Sequence, residues 1–175
     1  VEYEGAMWDG FTVQNGLIKD IAANRDGGAG IRIFRGVTIQ NFIVQNCWNR
    51  GSRSRGGGIY CDGSNSYVIN TYVIHNNANG ANKEADTYGG GMYMIVGTSY
   101  NSAFVNNWAN GHGGGIFLEN AIFYNNTVAH NYTDGMYQWS NSGGGNNLEM
   151  YNCLFYGNQG VAIGSSAPNT LKDFH

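Results

Sequence analysis

Gly113-Gly114-Gly115-Ile116-Phe117-Leu118, with Asn125-Asn126-Thr127-Val128-Ala129-His130-Asn131 close behind it, is the stretch that decides the fold. It reads as a glycine-opened strand, a turn, a second strand and a turn closed by asparagine. The same order recurs along the chain. Amide or acid residues six apart mark each copy: Asp9/Asn15, Gln40/Asn46, Asn70/Asn76, Asn101/Asn107, Asn125/Asn131 and Asn152/Asn158. Successive pairs are separated by 31, 30, 31, 24 and 27 residues. Within each pair lies a run rich in Val, Ile, Phe, Tyr and Thr, the composition of a short strand. These runs are 10–14, 41–45, 71–75, 102–106, 126–130 and 153–157. A second column opens the preceding strands: Gly30-Ile31, Gly58-Ile59, Gly91-Met92, Gly115-Ile116 and Gly145-Asn146. Glycine there suits positive φ or close packing against the next coil. Asn suits a left-handed turn, and stacked Asn side chains can bond to one another across coils.

Near-copies running the same way stack in parallel, about 4.8 Å apart. Parallel crossovers favour the right hand. The expected fold is all-β, a right-handed parallel β-helix of about six coils. One domain spans 1–175, with coils over 8–160 and with 161–175 as a partial coil or C-terminal extension. Residues 17–23 alone have a helical look, confined by Gly16 and Gly27. Neither terminus reads as a solenoid cap, so the native protein is expected to continue on at least one side.

Composition agrees with a packed solenoid. Only 12% of residues are charged, but 42% are apolar and fall in ordered columns, which argues against disorder. No apolar run approaches membrane-spanning length, so no direct membrane insertion is expected. A net charge of −3 argues against general nucleic-acid binding. Cys47, Cys61 and Cys153 are odd in number and irregularly spaced; they read as small buried thiols rather than a disulfide framework.

The pairing of Gly-Gly-Gly-Ile with Phe-x-x-Asn resembles the repeats of chlamydial polymorphic outer-membrane proteins. It is carried by Phe104-Val105-Asn106-Asn107 and Phe155-Tyr156-Gly157-Asn158, with relaxed forms at 73–76 and 128–131. It is also similar to β-helix proteins of the pectate-lyase-like superfamily found on or outside bacteria, notably in Bacteroidetes. The resemblance covers roughly residues 8–160. It implies a bacterial β-helix that is secreted or held on the outer cell surface. That fold hosts adhesins, lyases, hydrolases and phage tailspikes, so function has to be argued from a site.

Solenoids put their variable length into loops on one side, and that side often binds. Here the unequal segments are 16–29, 47–57, 77–90, 108–114 and 132–144, expected to line one edge. Six of the nine basic residues fall between 25 and 55: Arg25, Arg32, Arg35, Arg50, Arg53 and Arg55, with Asp26 the only acid. Guanidinium forks suit the carboxylate or sulfate of acidic sugars, while the plainer reading is solvated arginines paired to neighbouring acids. Trp48, Tyr88, Trp108, Tyr132, Tyr137 and Trp139 share the edge. They suit stacking on sugar faces, or packing against each other to tie loops down. The candidate ligand-binding residues are Trp48, Arg50, Arg53, Arg55, Tyr88, Trp108, His112, Tyr137 and Trp139. In the second strand, Thr12, Ile43, Val73, Phe104, Val128 and Phe155 are expected on one face. The opposite face is apolar too, which predicts a packing partner on its outer stripe.

Signals for catalysis are thin. Gly111-His112-Gly113 matches a tripeptide of polygalacturonase-type hydrolases, but their Asn-Thr-Asp and Asp-Asp elements are missing. Glu84 and Asp86 share a loop, yet two carboxylates fall short of the six or more oxygens that Ca²⁺ takes. Asp62, Glu119, Asp134 and Glu149 are scattered, although Glu119 and Glu149 look like related places in adjacent coils. Glycoside hydrolysis requires two such facing carboxylates. His75 and His130 share a column two coils apart, about 10 Å, too far to share a metal. The expected function is recognition or adhesion without catalysis or cofactor, binding glycan or a surface protein through the loop edge. The alternatives are a lyase or hydrolase acting on an acidic polysaccharide, and a structural spacer.

Overall fold

A computed structural model describes residues 5–19, 27–80, 87–139, 148–166 and 171–174. The chain winds as a right-handed parallel β-helix of about five turns, without helix among the described residues. Every strand pairing is parallel, and each joins one coil to the next.

Three sheets wrap the interior. The first has ten strands. Its long members, Ile59–Ile69, Met92–Tyr100 and Ile116–Tyr124, join two ladders across a corner. Their first halves stack with Ile31–Phe34 and Met136–Gln138. Their second halves stack with Thr38–Gln40 and Leu148–Tyr151. Three further strands, Met7–Asp9, Ile163–Ser165 and Leu171–Phe174, extend these ladders. The second sheet stacks Thr12–Gln14, Ile43–Gln45, Tyr72–Ile74, Ala103–Val105, Thr127–Ala129 and Leu154–Tyr156. The third stacks Leu17–Lys19, Trp48–Arg50, Asn77–Ala78 and Trp108–Ala109.

That third sheet corrects two expectations. The expected helical stretch does not begin as a helix: Leu17–Lys19 is a strand held by its parallel partner Trp48–Arg50, and 20–23 lie outside the described residues. The segments following the second strand are not wholly loop either. Pairing to the next coil overrides local helical pattern, because the backbone groups of a stacked coil find partners one coil away.

Side chains of like position lie above one another inside. Ile31, Ile59, Met92, Ile116 and Met136 form one inward column, and Val44, Val73, Phe104 and Val128 another. Burying each such side chain contributes on the order of 1.5–3 kcal/mol. Thr12 and Ile43, expected in the second column, face outward; Val13 and Val44 hold those inward places. The error is one residue of register, which flips a strand's faces.

Its cause is that two adjacent columns both use asparagine. One is a left-handed corner, with φ between +54° and +62° at Asn15, Asn46, His75, Asn106, His130 and Gly157. The next column points its side chains inward: Cys47, Asn76, Asn107, Asn131 and Asn158. Asn15 and Asn46 therefore belong to the corner, not with Asn76 and its successors. The other corner likewise runs through Gly10 and Asn41 rather than Asp9 and Gln40, and continues through Asn70, Asn101, Asn125 and Asn152. Asp9 instead accepts side-chain bonds from Gln40 and Asn41, which hold its carboxyl below the usual range.

Glycine opens the first strands for the reason of close approach. A Cβ on Gly115 would lie 2.5 Å from the Gly135 carbonyl oxygen. Gly135, not Gly145, continues this column, since it precedes Met136, the partner of Ile116; Gly145 lies outside the described residues. The requirement for positive φ falls instead on Gly113, at +63°. Cys47 and Cys61 are buried and Cys153 partly so, and all three are free thiols.

Candidate functional site

Outward side chains of the first sheet build a second apolar cluster on the outside of the coil. Arg32, Tyr60, Tyr93, Phe117 and Tyr137 share one register column. Its rings stack: Tyr60 on Tyr93 at 5.6 Å, Tyr93 on Phe117 at 4.9 Å, and Phe117 on Tyr137 at 5.6 Å. Offset stacks of this kind add about 0.5–1.5 kcal/mol per pair beyond burial. Parallel bridges set a second column beside it, Arg55–Tyr88–His112. Tyr88 packs on Phe117 at 4.6 Å, and His112 lies over Tyr137 at 4.0 Å. His112 Nδ1 is 3.0 Å from Asp134 Oδ2, which fixes the imidazole against the ring beneath it.

These columns frame a cleft of about 370 Å³. Tyr93 and Phe117 are its buried base; Arg55, Tyr88, Ile95, Glu119 and Trp139 complete its lining. The Tyr93 hydroxyl donates to Glu119 Oε1. Burial pushes the Tyr93 phenol well above its ordinary range, the bonded Glu119 carboxylate adds to the rise, and Arg55 opposes it. The Arg55 guanidinium carbon lies 5.3 Å from the Tyr93 ring centre. Among the described residues no ion pair joins Arg55 to Glu119, and the buried Arg55 Nε has no hydrogen-bond partner. A cation and a carboxylate thus line one aromatic-based cleft without neutralising each other directly.

Arg55, Tyr88, His112, Tyr137 and Trp139 are brought together here. Trp48, Arg50 and Trp108 are not: they stand on the outer face of the third sheet. Arg53 is exposed in the turn that follows Trp48–Arg50. The arginine cluster of the sequence is likewise dispersed. Arg32 sits over Phe34 and Tyr60, Arg50 over Trp48, and Arg55 over Tyr93, while Arg35 takes a left-handed turn after Ile31–Phe34. Arg25, Asp26, Glu84 and Asp86 lie outside the described residues. Neighbours in sequence are parted because a coil carries the chain around the whole circumference.

Tyr93, Ile95 and Phe117 are not among the residues expected at the site, and Glu119 is expected only as a candidate catalytic carboxylate. Their signal was present in strands already identified: between the inward residues of Ile59–Ile69, Met92–Tyr100 and Ile116–Tyr124, an aromatic recurs at the outward position after each opening residue. Glu119 and Glu149 are not equivalent, since Glu149 is in register with Ile122. Asp62, in register with Phe34 and Val96, is two coils from Glu119 and does not line the cleft. His75 and His130 occupy the same corner column with Asn106 between them. Among the described residues, no three His, Cys, Asp or Glu side chains are grouped to hold a metal ion.

Against this geometry, no known family, curated protein or solved structure matches the chain.

Proposed function

We propose that the chain is a non-catalytic recognition module, binding glycan through the cleft between Arg55, Trp139 and Glu119. The single observation that carries this is a guanidinium and a carboxylate, not paired to each other, lining one cleft over an aromatic base. A sugar ring meets each part: hydroxyls donate to Glu119 and accept from Arg55, while C–H faces lie on Tyr88 and Trp139. A volume of about 370 Å³ is at the small end of ligand sites, suited to a terminal sugar or short branch. The repeat resemblance to pectate-lyase-like and chlamydial outer-membrane β-helices supports a bacterial protein, secreted or displayed at the outer surface.

Lyase or hydrolase chemistry on an acidic polysaccharide is less well supported, because the cleft has one carboxylate and the Tyr93 hydroxyl already engages it. The spacer reading draws on a different observation. Ile43, Tyr72, Leu154 and Tyr156 leave an exposed stripe on the outer face of the second sheet, a surface for a packing partner. A glycan array tests the main reading: Arg55→Ala and Trp139→Ala should each lose most of the signal. An unsaturated, ultraviolet-absorbing product from uronic-acid polymers would contradict it.

A further inference from the structure

The outer face of the third sheet carries a pattern that the cleft does not use. One register column runs Leu17, Trp48, Asn77, Trp108, with Tyr132 bridged to Trp108 in the next coil. The alternate residues Ile18, Asn49, Ala78 and Ala109 turn inward, and the last three are fully buried. The outward rings are open: Trp48 is 40% exposed, Trp108 41% and Tyr132 47%. Their counterparts over the first sheet, Tyr93 and Phe117, are almost entirely covered. The same coil therefore buries one aromatic column and leaves another bare.

Beside the bare rings runs a polar column. Lys19 and Arg50 are in register and exposed. Asn79 and Asn110 follow in the next two coils, joined through their side-chain amides. These four residues comprise two cations, two amides and no acid. Arg50 lies 4.8 Å from the Trp48 ring, where it borders the aromatic column. Between the columns and the corner, His75, Asn77, Asn106, Trp108 and Tyr132 line a groove of about 460 Å³. Asn77 Oδ1, buried beside it, has no hydrogen-bond partner.

Coil spacing makes the face periodic along the helix axis. Trp48 and Trp108 are two coils apart, about 10 Å, and Tyr132 is one coil further. A straight ligand lying parallel to the axis meets a flat ring, an amide, then two more rings, with hydrogen-bonding groups along one flank. Globular ligands do not need that repetition; a polymer does. Apolar peptide is disfavoured by the amides and cations on the flank. Lys19 and Arg50, unopposed by an acid in their column, favour negative charge.

The geometry points to a second binding site, independent of the cleft: the outer face of the third sheet takes a linear acidic polysaccharide running parallel to the helix axis. Pyranose faces stack on Trp48, Trp108 and Tyr132. Carboxylate or sulfate groups meet Arg50 and Lys19, and hydroxyls bond to Asn79 and Asn110.

Calorimetric titration with polygalacturonate oligomers and chondroitin sulfate oligomers, against neutral xylo-oligosaccharides, tests this. Binding to at least one acidic probe is expected, at least fivefold tighter than to xylo-oligosaccharides of equal length. Trp108→Ala and Arg50→Ala should each weaken it about tenfold, and Trp108→Tyr should retain most of it. Because Trp108 and Arg50 are exposed, far-ultraviolet circular dichroism should match wild type in their variants. No binding to either acidic probe overturns the proposal, as does binding that is insensitive to Trp108 and Arg50, or neutral probes that bind as tightly. Loss with Arg55→Ala but not Trp108→Ala assigns the polysaccharide to the cleft and overturns this second site alone.

Discussion

Asn107 takes both the backbone N–H and the side-chain amide of Asn76 on one oxygen, at 2.9 and 3.1 Å, and passes its own amide to Val73 and Asn131. Asn131 repeats the arrangement with Asn158. Each inward asparagine side chain thus closes the turn of the coil before it, and Asn107 and Asn131 also reach the coil after. Buried backbone groups that a three-residue strand cannot satisfy are satisfied here.

Replacing Asn107 should therefore be costly and replacing its neighbour should not. Asn107→Ala strands the Asn76 N–H in the interior and removes the amide bonds to the Val73 carbonyl and Asn131, a loss of about 2–4 kcal/mol. Asn106→Gly keeps a left-handed corner and should change stability by less than about 1 kcal/mol. Urea unfolding of both variants checks the contrast. Equal effects would mean that the two columns are wrongly distinguished.

How much of this was legible follows from the same pair. The period, parallel stacking and strand-opening glycines could be read because every coil repeats them. The register could not, because corner and ladder select asparagine for different reasons: tolerance of positive φ at Asn106, and a buried amide at Asn107. The site was legible in part. Arg55, Tyr88, His112, Tyr137 and Trp139 were found as loop residues, but Glu119 and Tyr93 lie in strands whose inward residues drew attention to the core. Trp48 and Trp108 were assigned to the same edge, since nothing in the sequence marks the two- and three-residue strands that carry the chain round a further face.

Gly115→Ala should be among the most damaging small substitutions. Its methyl would meet Gly135 O at 2.5 Å, Asn131 Nδ2 at 2.7 Å and Val128 Cγ1 at 2.8 Å, so two coils must separate. A loss of about 2–4 kcal/mol is expected. Gly10→Asn, at a corner with open space around it, should be tolerated. Thermal melting of both proteins makes the comparison.

Stability should fall in alkali through Cys61. Burial raises its thiol from an ordinary 9.0 to about 12. A raised folded pKa contributes stability that is complete below pH 9 and is lost as pH climbs towards 12, by up to roughly 4 kcal/mol. Tyr93, also raised, loses stability in the same direction at higher pH. Unfolding free energies measured from pH 8 to 11 should decline in wild type and decline less in Cys61→Ala. Maleimide should label partly exposed Cys153 before Cys61 in the folded protein.

The stripe on the second sheet makes a separate prediction. If it is a packing surface, wild type should increase in size with concentration in light scattering, and Tyr72→Glu with Leu154→Glu should remain monomeric at unchanged stability. Equal size for both proteins at all concentrations would remove that role.

The most direct measurement for the account as a whole is glycan-array binding of wild type and Arg55→Ala/Trp139→Ala, read alongside their melting temperatures. Inward ladders hold the coil, so the account predicts closely similar melting temperatures, with binding reduced at least tenfold in the variant. Undiminished binding by a fully folded variant would contradict recognition at the cleft.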